Sequence, residues 1–262
     1  RIVYYGHDLH FRRLEREAAA TGRAQLEREA RRCERQERAI WRGVDLVLYP
    51  SAEEAAEVRA LEPGVEARAL LPYAFDGFRE AEGVEGRTGI LFVAGFAHPP
   101  NVDAATWLVA EVMPRVWARY PQVRLSLVGS RPTDEVRALA GERVEVTGYV
   151  DDAELERRYA HARVAAVPLR YGAGIKGKVV EALQQGVPLA TTTVGAQGLE
   201  GLEMVAEVQD DPERMADAIV RLLEDDGVWR RQSHEGARYA AARFSRAALR
   251  EQMEKAMDGG AP

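Results

Sequence analysis

Short apolar runs alternate with longer amphipathic stretches along this 262-residue chain. The apolar runs are rich in β-branched residues and end at glycine, proline or serine, as buried strands often do. They lie at 44–49, 89–94, 123–128, 143–147, 164–169 and 187–193. The amphipathic stretches have helical spacing and lie at 102–119, 133–140, 152–162, 176–186 and 212–225. Because strands that alternate with helices usually pair in parallel, the sequence predicts an α/β fold with a doubly wound parallel sheet.

The helical stretches carry two further local signals. Asn101, Thr133 and Asp151 are residue types that commonly cap helices, and each precedes a predicted helix. Segment 11–42 contains ten arginines and six glutamates, while its apolar residues recur at steps of three and four. This pattern favours one long surface helix over a basic patch for phosphate or for an anionic membrane surface.

Domain boundaries are predicted from a change in pattern near residue 76. The stretch 76–88 contains several glycines and has no apolar periodicity, which is typical of a linker. It separates a first unit at 1–75 from a second unit at 89–244, and 245–262 is expected to form a last helix and a tail. Since a typical domain has roughly 100–150 residues, the first unit is short, and Arg1 stands where an initiator methionine would be. We therefore expect the chain to be a fragment of a longer protein.

Composition excludes several classes of protein. No window comes near the ~20 consecutive apolar residues that a membrane-spanning helix needs. The single cysteine, Cys33, rules out an internal disulfide and a multi-cysteine zinc site, and it indicates a reducing, cytoplasmic location. The net charge of -6 argues against a general nucleic-acid-binding protein.

The candidate binding site lies at 168–181, where a predicted strand passes through three glycines into a helix. Glycines let the backbone approach a ligand closely, and the first N–H groups of a helix attract anions. Lys176 and Lys178, two of only three lysines in the chain, add positive charge there. These features predict a diphosphate site, in which Glu181, one turn beyond Lys178, accepts hydrogen bonds from sugar hydroxyls. The alternative interpretation is a glycine-rich turn with a Lys–Glu pair on the surface.

The same glycines also match the dinucleotide fingerprint G-x-G-x-x-G, as Gly172, Gly174 and Gly177. An NAD-dependent oxidoreductase would need an acidic residue at the end of the next strand, to hold the ribose. That strand, 187–193, ends in three threonines. The fingerprint also follows about the fourth strand of the unit instead of the first, so both features count against NAD.

The stretch GAGIKGKVVEALQQGVPLATTTVGAQGL, at 172–199, resembles the donor-binding signature of glycosyltransferase group 1, family 4. Further similarities follow in the family's order and extend the resemblance over roughly 88–245. They lie at 91–95, 100–103, 128–129, 148–150 and 162–168. The resemblance implies retaining enzymes with two facing Rossmann-like domains, the GT-B fold. It also implies that 1–75 is a truncated N-terminal acceptor-side domain, onto which the helix at 245–258 crosses back.

The resemblance also implies roles for individual residues. Glu181 would bind the donor ribose, and His7 would lie near the transferred sugar. The charges of Lys178 and Lys176, by contrast, are our own reason to expect that these two catalytic residues stabilise the leaving diphosphate. The remaining donor-binding residues implied are Gly172, Ala173, Gly174, Ile175, Arg170, Gly95 and Val150.

Three positions depart from the family pattern. The family commonly has a glutamate where this chain has Ala173, an arginine where it has Phe96, and a lysine where it has Asn101. The last two would clamp the diphosphate. We hypothesise that Lys176 and Lys178 replace them from the other side of the cleft; the alternative is a non-catalytic nucleotide-binding or interaction domain.

The expected function is transfer of a sugar from a UDP- or GDP-sugar to an unknown hydroxyl acceptor, with retention, in surface or exopolysaccharide glycan synthesis. No cofactor and no metal are expected, since the paired acidic residues lie where helices start or end. They are Asp151–Asp152, Asp210–Asp211 and Asp225–Asp226. We expect a cytoplasmic protein that does not bind nucleic acid, with peripheral membrane association of the parent protein.

Overall fold

The computed structural model describes residues 1–71, 73–79 and 83–258, in which two parallel sheets are present. The smaller sheet contains β1 (Val3–Tyr5), β2 (Leu46–Tyr49) and β3 (Ala67–Ala69), in that spatial order. The larger sheet contains β4 (Ile90–Val93), β5 (Leu125–Val128), β6 (Val144–Gly148), β7 (Val164–Val167), β8 (Leu189–Thr191) and β9 (Glu207–Val208). Its spatial order is β6-β5-β4-β7-β8-β9, with every neighbouring pair parallel. The predicted doubly wound α/β fold is confirmed.

Helices connect the strands. In the smaller unit, α1 (His10–Thr21) and α2 (Ala24–Arg42) lie between β1 and β2 in the chain, and α3 (Ala52–Leu61) lies between β2 and β3. In the larger unit, α4 (Pro99–Trp107) continues through a π-helical turn (Leu108–Val112) into α5 (Met113–Arg119). The remaining helices are α6 (Asp134–Arg137), α7 (Asp152–His161), α8 (Gly177–Gln184), α9 (Pro212–Glu224), α10 (Asp226–Phe244) and α11 (Arg246–Asp258).

The predicted strands are all present within two residues of their predicted bounds, and the predicted helices of the larger unit within three. Thr133 and Asp151 cap α6 and α7, because their side chains accept the backbone N–H of Val136 and Glu154. The cap predicted at Asn101 is wrong. The helix begins earlier, at a proline that follows His98, and Asn101 lies inside its first turn.

The single long helix predicted over 11–42 is also wrong, because the segment forms two helices that pack against each other. Gly22 ends α1 with φ +68°, a left-handed conformation that glycine adopts without strain. Its N–H donates to the carbonyl of Ala18 at 2.8 Å. The apolar spacing on either side of Gly22 is the same, so periodicity alone did not reveal the turn.

A buried carboxylate, Glu37 of α2, fixes the start of α1. It accepts the backbone N–H groups of His10 and Phe11, each at 3.2 Å, and the Tyr49 hydroxyl at 3.4 Å. The first N–H groups of a helix have no partner within the helix, so Glu37 satisfies two of them. The His10 ring lies 3.2 Å from the same carboxylate, a hydrogen bond that raises the pKa of His10.

We expect Glu37→Ala to lower the free energy of unfolding by about 2–3 kcal/mol, since it leaves buried donors without an acceptor. Urea unfolding followed by circular dichroism measures this loss. Glu34→Ala is the matched control on the same helix: Glu34 pairs with Arg38 near the surface, and such pairs contribute about 0–1 kcal/mol. Equal losses in the two variants would contradict the role assigned to Glu37.

The last helix, α11, packs on the smaller sheet. Ala256 is buried against Leu46 and Leu48, and its carbonyl accepts a hydrogen bond from Arg68 at 2.7 Å. The predicted linker, by contrast, is attached to the larger unit where it is described, since Arg79 N–H donates to the carbonyl of Gln184. Residues 80–82 of that linker, 259–262 of the predicted tail and Pro72 lie outside the described residues.

Candidate functional site

The larger sheet offers one position that its topology favours for a ligand. Chain order runs outward from β4 to β5 and β6, then returns to the other side of β4 with β7. In open α/β sheets, ligands bind beyond the carboxyl ends of the strands where the order reverses. The loop after β4 contains Gly95 and leads to α4, while the loop after β7 contains Gly172 and Gly174 and leads to α8. Two helices therefore begin beside this crevice, which favours an anion.

The glycine loop lies directly against the smaller unit. Gly174 has φ +69°, and a Cβ atom built on it would lie 3.1 Å from the carbonyl oxygen of His7 and 3.2 Å from the Cβ of Asp8. A larger residue at this position would therefore be strained and would push the two loops apart. The glycine predicted here is required by both the backbone conformation and the close contact.

Lys176 is buried at the start of α8, with only 8% of its surface exposed. Its Nζ donates to the carbonyl of Ala173 at 3.0 Å and to that of Gly174. Burial and, to a smaller extent, the charge of nearby Lys178 lower the pKa of Lys176 to about 7, while Glu54 acts in the opposite direction. Lys176 thus holds the glycine loop together and places an ammonium group inside it.

Lys178 reaches across the crevice to α4. Its Nζ donates to Oδ1 of Asn101 at 2.9 Å, and Nδ2 of Asn101 donates to the carbonyl of Gly95 at 2.8 Å. Burial lowers the pKa of Lys178 to about 8. Asn101, which stands where the family has a lysine, therefore orients Lys178 and links it to the loop after β4.

Phe96, which stands where the family has the arginine of the diphosphate clamp, faces inward. Phe96 is fully buried and packs edge to face on Phe92, with ring centroids 5.9 Å apart. It contributes to the core and not to the crevice. The loop after β4 brings another polar group, His98, whose pKa is lowered by burial and by the charges of Arg13 and Lys178.

Glu181 lies one turn beyond Lys178 on α8 and faces the start of α7. Burial raises its pKa, the hydroxyl of buried Tyr159 acts in the opposite direction, and the charge of Asp152 raises the pKa further. Val150, just before α7, packs against the core of the larger unit, and its neighbour Tyr149 is 78% exposed. A partly buried carboxylate and an exposed aromatic ring thus flank the beginning of α7.

Two other predicted residues have partners of their own. Arg170 forms a two-pronged ion pair with Asp103 of α4, in which Nε lies 2.9 Å from Oδ2. His7 is exposed, and its ring packs edge to face on Tyr5. Ile175, next to Lys176, is buried in the core.

Helix α1 of the smaller unit supplies residues that the sequence did not single out. Nη1 of Arg16 donates to the carbonyl of Gly172 at 2.8 Å and to Oε1 of Gln197 at 2.9 Å. Arg13, one turn earlier, donates to the buried carboxylate of Asp8 at 3.0 Å. Arg13 and Arg16 do not stand out in the sequence, because segment 11–42 contains ten arginines. The one signal that favours these two is that they follow His7 closely in the chain.

A separate cavity of about 630 Å³ lies at the amino ends of β4 and β5, at the opposite edge of the sheet. None of the predicted site residues lines it. Within 1–71, 73–79 and 83–258, no three His, Cys, Asp or Glu side chains group in a way that could hold a metal ion. Over the same residues, no helix has the length and the apolar composition needed to cross a membrane.

Known proteins resemble this chain over more than half of its length. Its sequence is 31% identical over 153 residues to a phosphatidyl-myo-inositol mannosyltransferase of Mycolicibacterium smegmatis, covering 54% of this chain and 37% of that protein. It is 28% identical over 182 residues to the protein of the same name in Mycobacterium tuberculosis, covering 64% and 47%. The chain thus spans less than half the length of these relatives.

Solved structures resemble the whole chain. A sucrose-phosphate synthase of Thermosynechococcus elongatus superposes with a TM-score of 0.74 and 24% identity, covering 97% of this chain and 66% of that one. HepE of Anabaena, solved with UDP and glucose, superposes with a TM-score of 0.71 and 17% identity, covering 98% and 71%. These similarities confirm the expected Rossmann-like fold of GT-B type.

The family model described as glycosyl transferases group 1 matches residues 87–225, which is more than half of the chain. The matched region contains the glycine loop, Lys176, Lys178 and Glu181. It also contains the dinucleotide-like fingerprint, so the match favours a glycosyltransferase over an oxidoreductase. The chain belongs to group 1 of the glycosyl transferases.

Proposed function

We propose that the crevice between the loops after β4 and β7 binds a UDP- or GDP-sugar, as in a retaining glycosyltransferase of family 4. The observation that carries this proposal is a pair of lysines, of which Lys176 is buried and Lys178 is partly buried. Lys176 and Lys178 lie at the start of α8, beside the point where the strand order reverses. Buried ammonium groups are costly unless an anion neutralises them. A diphosphate held by the first N–H groups of α8 supplies that charge.

The same arrangement suits departure of the nucleoside diphosphate. When the bond between the sugar and the phosphate breaks, negative charge grows on the leaving phosphate oxygens. Ammonium groups and helix N–H groups that are already in place stabilise this charge without reorganisation. Lys176 and Lys178 therefore act as catalytic residues by electrostatic stabilisation, and the proposal includes no metal ion and no cofactor.

Glu181 and the residues near the start of α7 suit the nucleoside. A carboxylate accepts hydrogen bonds from the two ribose hydroxyls, and the exposed ring of Tyr149 next to Val150 offers a face on which a base stacks. Gly172, Gly174 and Ala173 lie against the donor, and His7 lies beside this loop, near the transferred sugar. The ion pair of Arg170 with Asp103 joins the loop to α4.

A hydroxyl acceptor and a hexosyl group are proposed from the relatives. The names of these relatives specify mannosyl transfer to phosphatidyl-myo-inositol, whose ring carries hydroxyl groups. A lipid acceptor supports the expected peripheral membrane association and a role in surface or exopolysaccharide glycans. HepE, solved with UDP and glucose, supports a nucleotide-sugar donor.

Calorimetric titration with UDP, GDP, ADP and NAD tests the donor site. We expect saturable binding of one nucleoside diphosphate, weakened about tenfold in Glu181→Ala, since a charge-assisted hydrogen bond is lost. Glu203→Ala, which removes an exposed carboxylate outside the crevice, should bind like the parent chain. Binding of NAD alone would favour the oxidoreductase, and binding of none of the four would favour a non-catalytic domain; either result overturns the proposal.

A further inference from the structure

The diphosphate site has few cations on the side of β4. Phe96 is buried and Asn101 is neutral, so both lysines of the crevice come from the α8 side. The opposite wall of this crevice is formed in part by α1 of the smaller unit, whose preceding loop contacts Gly174. Arg16 of α1 contacts the glycine loop, and Arg13 lies one turn earlier on the same helix.

Arg16 touches the glycine loop directly. Only its Nη1 is used, by the carbonyl of Gly172 and the side chain of Gln197. The side chain is exposed, and its Nε and Nη2 make no hydrogen bond with the residues that the structure describes. One nitrogen, Nη1, therefore holds the Arg16 guanidinium in place, while the N–H groups of Nε and Nη2 are available to a ligand.

Arg13 lies one turn before Arg16, and residues three apart share a helix face. Its Nη1 donates to Asp8 at 3.0 Å, again leaving the other guanidinium nitrogens without a partner among the described residues. Burial is the main cause of the lowered pKa of His98 at the start of α4, and the nearby charge of Arg13 lowers that pKa further. Since Glu37 fixes the start of α1, neither arginine depends on a mobile helix end.

The charges do not balance within the protein. The carboxylates that act on Lys176 are Glu54 and Asp8, while Arg16 and Lys178 act against it. With Arg13 included, four cations face two carboxylates around one loop. An excess of about two positive charges matches a terminal diphosphate, which carries two or more negative charges at neutral pH.

We propose that Arg13 and Arg16 of α1 form the second half of the diphosphate clamp, opposite Lys176 and Lys178. This inference rests on the proposed donor site and deepens it. Guanidinium groups bind phosphate oxygens in pairs, so their free edges suit the terminal phosphate. The donor then bridges the two units, and its diphosphate draws α1 towards the glycine loop.

Titration of Arg13→Gln, Arg16→Gln and the double variant with nucleoside di- and monophosphates of the preferred base tests the clamp. We expect each single variant to weaken diphosphate binding about tenfold, the effect of one lost charge-assisted bond, and monophosphate binding much less. Arg12→Gln is the matched control. Arg12 lies on the same helix but pairs with Glu15 and Glu57, away from the loop.

The outcomes separate this inference from the proposed function. If the parent chain binds no nucleoside diphosphate, the donor site itself is wrong. If it does bind and Lys178→Ala weakens binding while Arg16→Gln does not, the donor site holds and the clamp is overturned. Thermal melting accompanies each variant, because Arg13→Gln leaves buried Asp8 without its arginine. Arg16 is exposed, so Arg16→Gln alone decides the question if the other variant unfolds early.

Discussion

Lys178→Ala is expected to lower the rate of sugar transfer by a factor of about 100–1,000, the loss seen when one buried charge-stabilising group is removed from an active site. The Lys178 side chain is partly buried in the crevice, and this burial lowers its pKa to about 8. Electrostatic interactions are stronger there than in water. The measurement is turnover of the preferred nucleotide sugar by the parent protein and the variant.

The fold should survive this change. The Lys178 ammonium group donates a hydrogen bond to Oδ1 of Asn101, and loss of a hydrogen bond with a charged partner costs about 1.5–3 kcal/mol. Removal of a buried charge offsets part of that cost, because a desolvated ammonium group destabilises the ligand-free protein. The thermal midpoint of Lys178→Ala should therefore stay within a few degrees of the parent value, as thermal circular dichroism would show.

The chain contains its own control for this experiment. Lys255 is the third lysine, lies exposed on α11 and pairs with Glu251 one turn away. Lys255→Ala removes the same functional group from a site that faces solvent, and it should leave turnover unchanged. A Lys178→Ala variant as fast as Lys255→Ala would show that the crevice does not perform the transfer.

The central strands of the larger sheet could be predicted because their apolar runs are continuous. Strands buried on both faces, such as β4 and β7, need apolar residues at every position. The edge strand β9 has only Glu207 and Val208, too short for any pattern. Helix α10 was also not predicted, because its arginines, histidine and glycines interrupt the apolar side that packs on α8 and α9.

One part of the candidate site could likewise be predicted from the sequence, and another part could not. Gly172, Gly174, Lys176 and Lys178 are neighbours in sequence, so a local pattern predicts that they share one loop. Arg16 lies 156 residues away from the carbonyl that it contacts. Only the packing of α1 against this loop brings them together, and no periodicity in the sequence records that contact.

Lys176 and Lys178, at the start of α8, also determine the pH at which donor binding weakens. The pKa of Lys176 is lowered to about 7 and that of Lys178 to about 8, in both cases mainly by burial. A bound diphosphate favours the charged ammonium form and so raises both values in the complex. Where the pH exceeds the pKa of a lysine in the free protein, that lysine must therefore take up a proton when the ligand binds.

The affinity for the nucleoside diphosphate should then fall as the pH rises. Below about pH 6 both lysines are largely charged in either state, and they add little pH dependence. Above the pKa of each lysine in the free protein, the affinity falls by up to about tenfold per pH unit for that lysine, so about fiftyfold is expected between pH 8 and 9. The terminal phosphate, whose pKa is about 6, is already ionised in this range.

Calorimetry at pH 6.5 to 9.5, in buffers with different enthalpies of ionisation, measures both the affinity and the number of protons taken up. Close to two protons per ligand are expected at the upper end of this range, provided that the complex keeps both lysines charged. Lys178→Ala should take up one proton fewer, and Lys255→Ala should behave like the parent chain. If the affinity is flat over the whole range and no protons are taken up, neither lysine contacts the diphosphate, because any anion that pairs with a partly neutral ammonium group must shift its protonation.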